Sequence, residues 1–339
     1  MIEYENINYS ELSVARITDG RIYHLMGSYC LKDGNRVVFP VNRSYCSDVS
    51  GDRLSGEVGI CRKDKLIHEK VNPNAPLKDA ELLVEIYNKP LLFVENTSGI
   101  TWYSSNCDSN QVISPVSMEM VDKIREGLLR AGFAYDYRIG VYGSHQVGLN
   151  GVDSDIDLIA WVDCELRSEF LRGISEIFHQ VGCRSSEEIG KDAEYAVRYA
   201  NRLKVPLSAG FYLASKRIRW INPNGVSFSL QCLNLHYNHE FARRFIEGIN
   251  EPWKSKEITC LCRVVSADNS YNFPKIWQLE IDGHQLRAIS FSWTHQGMGD
   301  DDGEFRGEYL FKGAKITCQY GEFLFLRGED HYLLPQKLL

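Results

Sequence analysis

Two aspartates stand one residue apart at the head of an apolar run, Asp155-Ile156-Asp157 before Leu158 to Val162, and this pair constrains the chain more than any other feature. Side chains of a β-strand alternate faces with a period of two, so Asp155 and Asp157 project the same way. Like charges on one face repel, and the arrangement calls for a cation between them. Hard oxygen donors on a rigid strand suit Mg2+ (or Mn2+), with one or two carboxylates in a shell completed by waters and substrate phosphates. Upstream, the apolar run Ile139 to Val141 leads into Gly143-Ser144, and ten residues separate that pair from Asp155. A glycine lets backbone come close to a ligand, and N–H groups at a strand-to-helix turn form an anion site.

Gly143-Ser144 followed by Asp155-x-Asp157, with Ser154 directly before the first aspartate, resembles the signature of the nucleotidyltransferase superfamily that includes DNA polymerase β, CCA-adding enzymes and small antibiotic or toxin–antitoxin nucleotidyltransferases. The resemblance implies that Gly143, Ser144 and Ser154 hold an NTP. It also implies that Asp155 and Asp157 are the catalytic, metal-binding pair and that an NMP is transferred to a hydroxyl on RNA, protein or a small molecule. A strand with two solvated aspartates behind a loop glycine explains the carboxylates but leaves the constellation to coincidence. Asp19-Gly20, the run Arg36 to Val41 and Gly51-Asp52-Arg53, all ahead of the core, are similar in layout to largely uncharacterised archaeal and bacterial proteins grouped only by a nucleotidyltransferase domain. That likeness implies no substrate.

The expected fold class is an α/β (α+β) nucleotidyltransferase core with a mixed sheet, flanked by N-terminal and C-terminal β-rich modules. A length of 339 residues allows two or three domains, and boundary signals place them at residues 1–105, 106–250 and 251–339. In the first, D-G pairs at Asp19-Gly20 and Asp33-Gly34 punctuate apolar runs as hairpins do; residues 77–87 read as weakly helical, and Gly27-Ser28 lacks a downstream D-x-D. In the second, Met118, Val121, Ile124 and Leu128 share one helical face with Ser117 as N-cap and Gly132 as stop. Leu166 to Val181 repeats the pattern, and Ser185-x-x-Glu188 reads as a capping box opening a third helix that runs to about Leu203. Residues 237–249 form a helix that ends the core. In the third, alternation from Lys256 onward predicts an antiparallel module of five or more strands, with a small barrel as one form.

Composition limits the partners. Apolar residues are 44% and charged residues 24%, and the net charge of −7 leaves no global basic footprint, so nucleic acid would meet only a local patch. The 10 cysteines show no C-x-x-C spacing, no run approaches a membrane span, and MIEYENINYSELSV lacks a signal-peptide pattern, so the expectation is a cytoplasmic chain with reduced thiols and no membrane partner. Cys260 and Cys262 read as small core hydrophobes, His236 and His239 lack a further soft ligand for zinc, and Asp300, Asp301, Asp302 and Glu304 do not match a Ca2+ loop.

Lys216 to Cys232 reads as two strands joined at Asn222-Pro223-Asn224-Gly225. The family resemblance implies a third carboxylate on the strand beside the D-x-D, where Ser227, Ser229 and Gln231 share a face and no acid stands. An acid from elsewhere can substitute, substrate or water can complete the site, or a degenerate domain can bind nucleotide or RNA within a larger assembly without turnover. Lys216, Arg217 and Arg219 on the same hairpin suit phosphate, as nucleotide-binding residues or as a contact for RNA or single-stranded nucleic acid; a solvated face is the plainer reading. Trp220 is either a base-stacking or a core residue.

Overall fold

The computed structural model describes residues 115–147, 150, 154–237, 240–249, 254–300, 308–327 and 330–339, together with ten strands at the N-terminal end. These are β1 (Ile2–Asn6), β2 (Val14–Arg16), β3 (Ile22–Leu25), β4 (Tyr29–Asp33), β5 (Arg36–Ser47), β6 (Arg53–Leu54), β7 (Cys61–Arg62), β8 (Lys65–Leu66), β9 (Leu91–Val94) and β10 (Thr101–Tyr103). The expected helix at 77–87, Gly27-Ser28, His239, Asp301, Asp302 and Glu304 lie outside the described residues. The chain is a mixed α/β protein that divides into two compact units, Tyr103–Tyr237 and a second that joins Met1–Trp102 with Asn238–Leu339.

In the N-terminal sheet, ordered β1-β4-β5-β3-β2-β10, the long β5 also pairs with β6 and β9. Asp33 pairs with Arg36, so two residues join β4 to β5, the connection that the D-G signal predicts.

The unit 103–237 runs α1 (Pro115–Arg130), β11 (Tyr137–Tyr142), β12 (Ile156–Val162), α2 (Arg167–Gln180), β13 (Arg184–Ser185), α3 (Asp192–Leu203), α4 (Leu207–Ser215), β14 (Ile218–Ile221) and β15 (Ser227–Asn234). Its sheet is ordered β11-β12-β15-β14-β13, with β12 and β15 parallel and the other ladders antiparallel. The even positions of β12, Ile156, Leu158, Ala160 and Val162, share one buried cluster with Val121, Ile124 and Leu128 of α1 and Phe170, Ile174 and Phe178 of α2. Period-two alternation therefore turns the odd positions, Asp155 and Asp157 among them, to the opposite face. Phe178 stacks on Trp220 with centroids 4.3 Å apart, so Trp220 is a core residue. α1 stops as expected: Gly132 has φ +78° and the Phe133 N–H returns to the Leu128 carbonyl.

Two local readings are corrected, and one helix is added. Ser117 lies inside α1, which starts at Pro115, and its hydroxyl is taken by His145 instead of a helix N–H. The Ser185–Glu188 box does form, with Ser185 N–H on Glu188 Oε2 and Glu188 N–H on Ser185 Oγ, yet it closes a turn; α3 starts at Asp192, beyond Gly190 at φ +72°. The stretch after Leu203 holds a further helix, α4, which packs on α3 so closely that a methyl group on Gly210 would land on the Ala196 carbonyl.

At the C-terminal end, α5 (Glu240–Ile249) precedes β16 (Lys254–Asn269), β17 (Lys275–Ile281), β18 (His284–Ser290), β19 (Tyr309–Cys318), β20 (Gly321–Phe325) and β21 (Tyr332–Pro335). The order β16-β17-β18-β20-β19 closes through a β16–β19 ladder into a small barrel, with β21 added on β19. The module is not wholly antiparallel: β18 and β20 are parallel, because the β18-to-β19 connection carries β19 across to β16 and the β19–β20 hairpin then brings β20 back beside β18. Helix α5, expected to end the core, belongs with the barrel. Its Phe245 meets Phe291, Phe323 and Phe325, and its Phe241 meets Phe323; burying each such ring contributes roughly 1.5–3 kcal/mol, enough to decide where a ten-residue helix docks. Among the described residues no helix is long and apolar enough to cross a membrane.

Gly210→Ala should destabilise the unit 103–237 by about 1–3 kcal/mol, because the obstacle is backbone and cannot rotate away; the shift in urea midpoint at unchanged slope measures it. In the barrel, buried His331 accepts the Arg327 N–H at Nδ1 (3.1 Å) and donates from Nε2 to Glu257 (3.0 Å). Burial holds its imidazole below the usual range, against the pull of Glu257. The folded state thus takes up a proton less readily than the unfolded chain, so this stabilisation is complete above about pH 6.5 and fades as pH falls below it. Denaturant curves at neutral and acid pH should show a shallower loss for His331→Asn than for the parent; equal slopes would exclude His331 as the source.

Candidate active site

The site is built where β11 turns over β12. Gly143 opens the turn at φ +79°, a backbone state that favours glycine. A Cβ placed there would lie 2.9 Å from Asp157 Oδ2, so the missing side chain lets main chain rest against the carboxylate. The other oxygen, Oδ1, accepts a 2.6 Å hydrogen bond from Ser229 Oγ. Asp157 is half-buried and Asp155 exposed, at the open end of the strand.

Register extends the site across the sheet. Tyr142 stands opposite Asp157, Asp157 beside Ser229, and Ser229 opposite Arg219, which places the four in one row on one face. Ser229 therefore occupies the place beside Asp157 where the family resemblance implies a third acid, and β15 carries none. Arg219 is held by α3: its guanidinium lies 3.8 Å from the Tyr195 ring centroid, while Arg217 lies 5.2 Å from that of Tyr199. Burial lowers the proton affinity of Arg219, and Tyr142, Asp157 and Asp155 oppose that loss, which puts both aspartates within electrostatic reach of this cation. The Tyr142 phenol is pushed well above its usual value, first by burial and then by the Asp157 charge, with Ser229, Arg217 and Arg219 pulling it back.

Ser144 and Ser154 are both buried. Between them His145 acts as a clamp: Ser117 Oγ lies 2.8 Å from Nδ1 and the Ser154 carbonyl 3.4 Å from Nε2. A carbonyl only accepts, so Nε2 carries the hydrogen and donates it to Ser154, while Nδ1 and the Ser117 hydroxyl share the second hydrogen bond. The ring thereby joins α1, the Gly-Ser turn and the residue that precedes Asp155.

Of the expected residues, Gly143, Asp157 and Arg219 are brought together, with Asp155 beside them. Lys216 stands just past the end of α4 with its ammonium 5.1 Å from the Tyr212 ring centroid. Tyr142, His145, Tyr195 and Tyr199 were not anticipated. The last two had a signal, tyrosines four apart in EYAVRY, which share a helix face. Among the described residues no group of three or more His, Cys, Asp or Glu side chains is placed to hold a metal ion. Two carboxylates and a backbone cradle that a Cβ would fill still suit one hard cation that completes its shell with water and phosphate.

Gly143→Ala should lower stability by about 1–3 kcal/mol through backbone strain and crowding of Asp157, whereas Gly190→Ala, with positive φ but open space around it, should lose less; paired denaturant titrations compare them. Comparison with protein-family models, with curated proteins and with solved structures gives no match.

Proposed function

We propose that this site is a divalent-metal-dependent nucleotidyltransferase centre that transfers a nucleoside monophosphate from an NTP to a hydroxyl acceptor. The observation that carries the reading is the bare Gly143 backbone packed on Asp157 at the end of a strand whose next outward acid is Asp155. Backbone N–H groups after Gly143 are suited to the triphosphate, and Arg219, fixed by Tyr195, to the charge that spreads over its oxygens. Asp155 and Asp157 would hold one Mg2+ or Mn2+, which when bound neutralises phosphate charge and orients the nucleotide. In the reaction the acceptor oxygen bonds to the α-phosphorus, the α–β phosphoanhydride bond breaks, pyrophosphate leaves and the hydroxyl proton passes to water.

The Ser229 hydroxyl engages one Asp157 oxygen, and Arg219 stands on the next strand in the same row. A second divalent ion on that side would lack an acid ligand and face a guanidinium. The same observation favours one other reading, a domain that holds nucleotide without turning it over.

Purified protein with labelled NTPs, Mg2+ or Mn2+ and cellular RNA should label an acceptor, and Asp155→Ala/Asp157→Ala should not. Mn2+ titrated by electron paramagnetic resonance with a non-hydrolysable NTP should bind at one ion per chain, rising to two in Ser229→Asp. One ion without labelling of RNA, protein or small molecules selects the binding-only reading. No nucleotide-dependent Mn2+ binding, or equal binding to the double-alanine variant, rejects both.

A further inference from the structure

A second site stands on the barrel unit alone. A cavity of about 350 Å3 opens between α5 and the first strands of the barrel, lined by Glu240, Phe241 and Arg244 of the helix and by Ser266, Asn269, Ile276, Trp277, Gln278 and Arg287 of the strands. That volume falls at the small end of the roughly 300–1,000 Å3 usual for ligand sites and fits one compact molecule.

Its chemistry is set by two guanidinium groups. Arg287 is exposed, and its guanidinium lies over the Phe241 ring, 5.2 Å from the centroid. It has no hydrogen-bond or ion-pair partner among the described residues, so its contact is a cation–π approach to the ring and its N–H donors are free. Arg244 gives Nε to Glu240 at 2.9 Å, and its terminal nitrogens have no partner among the described residues. Glu240, the acid on the wall, is ion-paired with both Arg243 and Arg244, so Arg287 is the cation on the wall that no carboxylate neutralises, and Arg244 adds the unengaged terminal edge of a paired guanidinium. Planar cations with free forks select phosphate or carboxylate oxygens, and a guanidinium backed by a ring offers a stacking plane to a flat heterocycle. Gln278, whose Nε2 is given to Gln285, keeps its amide oxygen as an acceptor for the polar edge of such a ring.

We infer that this cavity binds a nucleoside phosphate, its phosphate on Arg244 and Arg287 and its base against the Phe241–Arg287 pair. The ligand is either a free nucleotide or the end of a single strand, two sources of one chemistry. This inference is independent of nucleotidyl transfer in the unit 103–237.

The full chain carrying Asp155→Ala/Asp157→Ala, which disables the other proposed nucleotide site, is titrated calorimetrically with AMP, with a short 5′-phosphorylated oligonucleotide and with sulfate. AMP should bind, and Arg287→Ala and Arg244→Ala should each weaken it by about ten- to a hundredfold. Arg287→Lys, which keeps charge but loses the fork and the plane, should fall between. Arg263→Ala, an exposed arginine paired with Glu280 outside the cavity, should bind like the parent, and circular dichroism checks folding. A tighter oligonucleotide identifies a strand end, and equal affinities identify the free nucleotide. Absence of AMP binding, sulfate as tight as AMP, or binding untouched by both arginine variants would overturn the inference.

Discussion

A carboxylate on an inner strand needs partners for both oxygens, and the core unit is arranged around that need at Asp157. One oxygen faces the turn at Gly143 and the other takes the Ser229 hydroxyl. The first contact requires a residue without Cβ where β11 ends, and the second requires β15 to run parallel beside β12 in the register that sets Asp157 against Ser229. The return from β12 to a parallel neighbour needs a long crossover, which is where α2, α3 and α4 are spent. The helices that cover the sheet and the charged row on its other face thus follow from a single pairing.

What was legible in the sequence followed the strength of local periodicity. The faces of α1 and α2, the glycine stop of α1 and the β14–β15 turn were readable because apolar spacing and turn chemistry act within a few residues. Ser117 and the Ser185–Glu188 pair had the right residue types, but tertiary demand redirected the first to His145 and strand pairing of Ser185 with Trp220 fixed the second as a turn. α4 was missed because LSAGFYLAS is apolar nearly all round and offers little helical contrast.

The site was half readable. Gly143, Asp155 and Asp157 are close in sequence and carry their spacing openly. The tyrosines that support the arginines come from a helix packed across the sheet, and that placement depends on the Gly210 approach of α4 to α3. The parallel β18–β20 pair of the barrel was hidden for a similar reason: alternation reports which face of a strand is buried and is silent on its direction.

The His145 clamp has a further consequence. One imidazole joins a helix 28 residues upstream to the carbonyl nine residues downstream, with the Gly-Ser turn between them. The turn and the residue before Asp155 are tied to α1 through a single side chain. Helix α1 carries Val116 and Leu129 on its solvent side, 60% and 75% exposed. The ring that fixes the turn is thus anchored in a helix whose other side meets solvent.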